Sequence, residues 1–360
     1  VGAGAFGRFS IEAYRQQPDI EVLAVADVSA QALAAVSAPG VRLERDWRRL
    51  VADQSIEVIH VVTPPRGRRE IVDAAVDARK SVFCEKPLAL TLAEADDMIA
   101  SARKAGVALG VDYVMRFQPA YRFLFELANS GLAGAARSLS FQNFAQGVPA
   151  GHWFWDRAQS GGILVEHGVH FFDCYGRVAG MPVRCAALKP RERAIEVTLW
   201  YDGGQGRSVA SEQGGVVGRY FHEFAFPAAV ELATGAVMFE RGHLALEGWI
   251  PTRISGAILA GARDIGDVAR TAGVELEVRE AGDTCRFEAR FPDREGSYAS
   301  AVVAGIRDVV RKHRDPEHRM TVPVEAARLS LAVALAAQTA ADRGTTVRFD
   351  DMQANVYDHE

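Results

Sequence analysis

Six residues at the start of the chain, Gly2-Ala3-Gly4-Ala5-Phe6-Gly7, constrain what it can fold into more than any other feature. They spell GxGxxG. The first glycine permits a tight turn, the second lets backbone approach a pyrophosphate, and the third lets a helix pack closely on a strand. The helix that follows opens with unpaired N–H groups and the positive end of its dipole, where a phosphate is stabilised. Alone the pattern is weak, but its setting strengthens it. A helical stretch comes next, then an apolar run, Glu21–Ala26, then Asp27. An acidic residue about 20 positions beyond the glycines is where a ribose 2′-hydroxyl acceptor belongs. Asp27 also reads as a turn or helix-cap residue. As a ribose ligand it would repel a 2′-phosphate, so NAD is favoured over NADP.

The motif implies a Rossmann fold, which needs a buried strand before its glycine turn. The chain opens at Val1 on the turn itself and its first methionine is Met98, so several residues are expected to precede Val1. Downstream, apolar runs alternate with helical stretches, the pattern of βαβ units. Val58–Val62 is stopped by Thr63-Pro64-Pro65, and Ser81–Cys84 by Glu85-Lys86-Pro87. Helices are expected over Arg69–Arg79 and Leu92–Ala105, and a further strand over Ala108–Asp112. From Ala136 the period becomes two, as in Arg137–Phe144 and Ile195–Tyr201, with turns such as Asp202-Gly203-Gly204 between runs. That reads as antiparallel sheet, interrupted by helices over Gly162–Val178 and Tyr298–Lys312 and closed by one over Val324–Arg343. The expected fold is α/β: an N-terminal Rossmann doubly wound parallel sheet plus a C-terminal α+β domain with an open, mostly antiparallel sheet. The expected division is 1–118 for nucleotide binding and 119–350 for substrate binding and oligomer contacts.

Composition narrows the class. Of 360 residues, 49% are hydrophobic and 24% charged, the balance of a globular protein too long for one ordinary core. A net charge of -5 offers no basic field to nucleic acid or an anionic membrane. The scattered Cys84, Cys174, Cys185 and Cys285 form no CxxC pair, which fits a reducing, cytoplasmic setting. No apolar run is long enough to span a bilayer.

Two clusters carry chemistry. Glu85-Lys86-Pro87 ends a strand at the carboxyl edge of the parallel sheet, where open α/β folds bind ligands. A lysine there can hold a substrate oxygen and stabilise charge during hydride transfer. Thr63-Pro64-Pro65 lies at the same edge and reads equally as cofactor contact or strand terminator. The second cluster is Gly161-Gly162 followed by Glu166, His167, His170 and Asp173. On a helix Glu166 and His170 are four apart and Asp173 three further, so all share a face. A histidine oriented by a carboxylate is a natural general base. A metal site and a hydrogen-bonded core histidine are the competing readings of the same residues. His152, Trp153 and Trp155, just before this helix, could stack on a sugar face or simply pack at the domain junction. The segments Gly214–Phe226 and Arg253–Val278 are expected to help shape the pocket.

Taken in order, GxGxxG, TPP, EKP, Arg116-Phe117-Gln118-Pro119 and GG-x₃-Glu166-x₃-His170 resemble the Gfo/Idh/MocA oxidoreductases over nearly the whole chain. The resemblance implies that Lys86 and His170 serve catalysis, with Glu166 standing where that family has aspartate. It places Arg68 where the family often has histidine, and Arg68 is expected to lie outside the chemistry. It implies a hydride exchange between NAD(P) and a sugar, inositol or related polyol, and a homo-oligomer formed through the C-terminal sheet. The expected cofactor residues are Gly2, Gly4, Ala5, Phe6, Gly7, Asp27, Thr63, Pro64, Pro65, Glu85 and Lys86. Lys86, Arg116, His152, Trp153, Glu166 and His170 are expected to face substrate, and no metal is assigned. An NAD-retaining glycosidase or lyase and a non-catalytic NAD or sugar sensor remain as alternatives.

Overall fold

The computed structural model describes residues 1–203 and 215–349. Gly204, Gly214 and residue 350, which the sequence reading used as turn, loop and domain end, lie outside the described residues.

The N-terminal strands are short and all parallel. Ala24–Ala26 pairs with Arg42–Glu44, Val58–Val61 with Ser81–Cys84, and Ser81–Cys84 with Leu109–Val111. Every residue of Ser81–Cys84 is buried, as expected where helices cover both faces of a parallel sheet. Helices Ala5–Arg15, Arg68–Asp77 and Leu92–Ala105 alternate with these strands. The last of them has clear end signals. The Thr91 hydroxyl accepts from Glu94 N at 3.2 Å, and Gly106 closes it at φ +67°. The strand expected over Glu21–Ala26 narrows to Ala24–Ala26.

Helix Arg294–Arg314, which follows the N-terminal strands by nearly 200 residues, packs on the parallel strands Val58–Val61, Ser81–Cys84 and Leu109–Val111. Glycine permits that approach. A Cβ on Gly305 would lie 2.7 Å from the Phe83 ring, and one on Gly110 would lie 2.3 Å from Val309.

The second sheet has ten strands. In spatial order they are Glu277–Ala281, Thr284–Arg290, Arg253–Ile258, Gly242–Glu247, Leu232–Phe239, Ala136–Gln146, Val216–Phe226, Ala194–Tyr201, Pro182–Arg191 and Val347–Arg348. Every neighbouring pair is antiparallel except Ala136–Gln146 with Val216–Phe226. The open, mostly antiparallel sheet is therefore present. The pocket segments named from sequence are regular structure: strands Val216–Phe226 and Arg253–Ile258 and helix Ala262–Ala272. Helix Val169–Ala179 lies on one face, where Phe171 stacks on Phe141 at 3.6 Å, and helix Val324–Arg343 packs beside it. Among the described residues no helix is long and apolar enough to cross a membrane.

The glycine turn is held from both sides. Gly2 N donates to Ala26 O at 2.8 Å, while Val1 N donates to His60 O at 2.6 Å and Val62 N to Val1 O at 2.7 Å. A Cβ on Gly7 would sit 2.2 Å from Gly2 O, a backbone atom that cannot swing aside. Gly7→Ala is expected to lose about 1–3 kcal/mol, as overpacked sites do, together with nucleotide affinity. Thermal unfolding and nucleotide titration of the same variant check this.

Candidate active site

The first helix, Ala5–Arg15, starts at Gly4 with no side-chain cap and no acidic residue in its first turn, so its leading N–H groups are free to meet an anion. A Cβ on Gly4 would meet nothing within 4 Å, so packing does not demand glycine there, and a ligand's close approach would. Asp27 follows strand Ala24–Ala26. Its Oδ2 accepts from Ala3 N at 2.7 Å, which places the carboxylate against the glycine turn. Its Oδ1 accepts from Ser29 N at 2.7 Å, so the turn reading of Asp27 also describes it. Ala5 and Phe6 sit in the helix's first turn, and Phe6 packs on Tyr298 at 5.8 Å. These residues fit a dinucleotide: free N–H groups for the pyrophosphate and a carboxylate beside them for a ribose.

Thr63-Pro64-Pro65 and Glu85-Lys86-Pro87 meet at the carboxyl edge of the sheet through a residue expected to stand apart. The Arg68 guanidinium, 2% exposed, donates to the Thr63, Glu85 and Pro87 carbonyls and so ties the two segments together. Arg68 is thus a structural clamp within the site, not a bystander. Nothing local in the sequence signals this, because the clamp depends on two loops that meet only in three dimensions.

The helix that carries Glu166 and His170 differs from a regular one. Leu164–Gly168 forms a π-helical turn that leads into helix Val169–Ala179. Such turns recur at functional sites. Lys86 Nζ donates to two acceptors on one residue of that turn, Glu166 O at 2.6 Å and Glu166 Oε1 at 2.5 Å. The carboxylate expected to orient His170 therefore faces Lys86. His170 is 5% exposed, its Nδ1 is buried without a partner, and its ring stands edge-on to Tyr113 at 5.7 Å. Burial, then Lys86, then His167 push its pKa well below the ordinary histidine value. The ring is neutral at pH 7, the form a base requires.

Asp173, the third residue of the expected face, belongs to Arg116. The pair is buried and bidentate, at 2.7 and 2.6 Å, and Arg116 Nη1 also donates to Thr321 O at 3.0 Å. Arg116 thereby braces the helix that carries Asp173 and His170. The rings of His152 and Trp153 lie 5.4 Å apart at a tilt of 36°, with His152 exposed and Trp153 partly so. Phe154 and Trp155 pack inward: Trp155 Nε1 donates to Val148 O at 3.1 Å, and Phe154 meets Phe224.

Polar residues surround this centre, and Asp112, His60, Tyr14, Asn143 and His222 are ones to which the sequence reading assigned no role. Behind Lys86, Asp112 is fully buried, and burial, then the neighbouring Glu85, hold its carboxyl well above the usual range. Glu85 Oε1 lies 3.7 Å from His60 Nε2, and Tyr14 Oη is 3.1 Å from His60 Nδ1. Beneath the helix that carries His170, His167 Nε2 lies 3.1 Å from Asn143 Nδ2, and the ring of His222 is edge-on to His167 at 5.4 Å.

Residues 1–113 match the Gfo/Idh/MocA oxidoreductase family model, an NAD-binding Rossmann fold. The chain is 31% identical over 195 residues to D-apiose dehydrogenase of Paraburkholderia graminis, covering 53% of this chain and 52% of that one. It is 31% identical over 186 residues to 2,7-anhydro-N-acetylneuraminate hydratase of Mediterraneibacter gnavus, covering 51% and 49%. The matches span about half the length of these curated relatives. A solved structure of levoglucosan dehydrogenase in complex with NADH and L-sorbose superposes with TM-score 0.77 over 96% of each chain. At 16% identity that likeness shows the fold alone.

The buried histidines set a pH dependence. His60, His167, His170 and His222 all have pKa values below the ordinary 6.5, His167 at about 3, with burial the leading cause in each. The unfolded chain then binds more protons than the folded one below pH 6.5, so stability rises with pH up to that point and falls as pH drops below it. His222→Phe removes one such group, and is expected to flatten the fall in melting temperature between pH 6.5 and 5. An unchanged slope would show that His222 takes no part in it.

Proposed function

The chain belongs, through residues 1–113, to the Gfo/Idh/MocA oxidoreductase family, and on that premise we propose that it is an NAD-dependent dehydrogenase of the cytoplasm. Its substrate is a sugar, inositol or related polyol, and the reacting group a secondary hydroxyl or the matching carbonyl. The observation that carries this reading is the placement of Lys86 and His170. An ammonium has three N–H donors. Glu166 takes two of those on Lys86, which fixes the lysine and leaves one donor for a substrate oxygen. His170, neutral beside it, takes the hydroxyl proton in oxidation and returns it in reduction. NAD, when bound, supplies the hydride acceptor. Gly2, Gly4 and Gly7 shape its pyrophosphate seat, and Asp27 holds its adenosine ribose and disfavours a 2′-phosphate. Glu166 acts on the reaction through Lys86.

A second reading has a specific support, the hydratase among the relatives. In it the same residues serve an NAD⁺ that stays bound, takes a hydride from the substrate and returns it within each cycle. Net nicotinamide turnover separates the two.

We also propose that the chain self-associates through the sheet face opposite helix Val169–Ala179. Strand register places Phe144, Trp200, Phe221, Leu232 and Met238 on that face, with Leu232 and Met238 about half exposed. Met238→Glu is expected to lower the molar mass measured by light scattering. A wild type already monomeric would overturn this.

The test of activity is reduced-nicotinamide absorbance with NAD⁺ or NADP⁺ against a panel of inositols, aldoses and sugar acids. A rise with NAD⁺ and one polyol class is expected. His170→Ala should cut kcat by about 10²–10⁴, the usual worth of a general base, with NAD affinity nearly unchanged. Loss of NAD binding instead would remove His170 from the chemistry.

A further inference from the structure

Two buried carboxyl groups stand side by side beneath helix Arg294–Arg314. Strands Ser81–Cys84 and Leu109–Val111 run parallel with Cys84 opposite Val111, so Glu85 and Asp112 are the next pair along. The Asp112 N–H donates to Cys84 O at 2.8 Å and carries the register past the strand ends. Side chains alternate along a strand, which puts Glu85 on the face of Phe83 and Asp112 on the face of Gly110. That is the face the helix covers. A Cβ on Gly305 would lie 2.7 Å from the Phe83 ring and 3.6 Å from Asp112 Oδ1. Asp112 is 1% exposed and Glu85 9%. No hydrogen-bond donor among the described residues reaches either Asp112 oxygen or Glu85 Oε1.

The neighbours do not supply what is missing. Lys86 carries charge, but its ammonium is held by Glu166. Arg68 turns Nη1 and Nη2 to the Thr63, Glu85 and Pro87 carbonyls, and Arg116 is bound to Asp173. Burial pushes up Tyr298 on the covering helix, Tyr14 on the first helix and Cys84, the last to about 11, so all three are neutral at pH 7. His60, whose Nε2 lies 3.7 Å from Glu85 Oε1, is pushed down by burial and is neutral too. Two carboxyls side by side in such a place do not both ionise, because desolvation and mutual repulsion act in the same direction. One retained proton gives the pair the donor it lacks.

We propose that Asp112 and Glu85 share one proton, the Asp112 hydroxyl donating to the Glu85 carboxylate, and that this bond positions Lys86 by fixing the turn that presents it. Asp112 is then a positioning residue. The role given to Lys86 rests on the dehydrogenase reading; the shared proton stands without it. Arg68 grips Glu85 and Pro87 by their backbone carbonyls. The shared proton grips Glu85 by its side chain, so Lys86 follows a residue held at both ends. Without that proton the Glu85 carboxylate would be buried beside a second charge, and would move toward water, taking the turn with it. Burial, then Glu85, hold the Asp112 carboxyl above the usual range, which agrees with its keeping the proton at pH 7.

Asparagine at this position keeps a donor and cannot ionise, whereas leucine keeps the size and has no donor. Asp112→Asn is expected to leave kcat and amide exchange across residues 85–88 close to those of the wild type. Asp112→Leu should speed that exchange and lower kcat about tenfold or more, as loss of a hydrogen bond to a charged group does. In the infrared spectrum at pH 7, a protonated-carboxyl band of the wild type should be missing from Asp112→Asn. Stability responds with a definite sign. A carboxyl whose pKa is raised on folding contributes stability that is complete below its unfolded value and lost as pH rises through the folded one. Asp112→Asn does not titrate, so its melting temperature should gain on the wild type by several degrees from pH 4 to pH 8. The buried histidines are common to both proteins and cancel in that difference. Exchange in Asp112→Asn as fast as in Asp112→Leu, an infrared band that survives Asp112→Asn, or a melting difference flat with pH would each overturn the proposal. If Asp112→Leu does not fold, the comparison of Asp112→Asn with the wild type decides alone. Exchange, infrared and melting involve no turnover, so a chain without dehydrogenase activity would sink that reading and leave these three to judge the shared proton.

Discussion

The bond from Lys86, which ends a strand of the parallel sheet, to Glu166 joins the edge of that sheet to the helix that lies on the antiparallel one. Both side chains are largely out of water, at 13% and 17% exposure. Burying an ion pair gains little net stability, since desolvation offsets most of the attraction, but removing one partner strands the other. What the pair supplies is position. The buried Arg116–Asp173 bridge repeats the arrangement about two helical turns later, so the helix is pinned to the first part of the chain at two points.

Much of this was legible in the sequence, and the reason is locality. The glycines of GxGxxG act on their own backbone, and EKP and TPP stop strands that their own neighbours form. Their places could be read from a few residues at a time. The ten-stranded sheet announced itself through its period of two, and the closing helix through the glycine that ends it. The partners of Arg68, Arg116 and Asp112 were not legible. Each matters because of a partner brought near by the fold: Arg68 by Thr63 and Glu85, Arg116 by Asp173, Asp112 by Glu85. Helix Arg294–Arg314 was foreseen as a helix, but its attachment to the parallel sheet was not. The glycines that admit it, Gly110 and Gly305, lie nearly 200 residues apart.

The polar centre sits among residues that would rather be apolar. Tyr113 and Phe171 stand edge-on to His170, and helix Val324–Arg343, rich in alanine and leucine, packs on the turn and helix that carry Glu166 and His170. In such surroundings a charge interacts strongly with whatever lies beside it. Neutral His170 next to the Lys86–Glu166 pair is therefore a consequence of how dry the pocket is. The same dryness explains why the sequence reading, which let the carboxylate go to the histidine, assigned Glu166 to the wrong neighbour. A buried ammonium needs a counter-charge more urgently than a neutral imidazole needs an orienting partner.

The π-helical turn at Leu164–Gly168 has a consequence for how the site can vary. In a regular helix each residue advances about 100° around the axis, so neighbours on one face stay locked together. A π turn holds roughly one residue more, which lets the segment before it and the segment after it face independent directions. Glu166 lies within the turn and His170 just past it. Deleting one residue here would restore the regular spiral and swing the Glu166 carboxylate by about a quarter of a revolution, with His170 undisturbed. Seen this way the turn works as an indexing joint. It sets the angle between Glu166, which grips Lys86, and His170, and it lets either be retuned without the other.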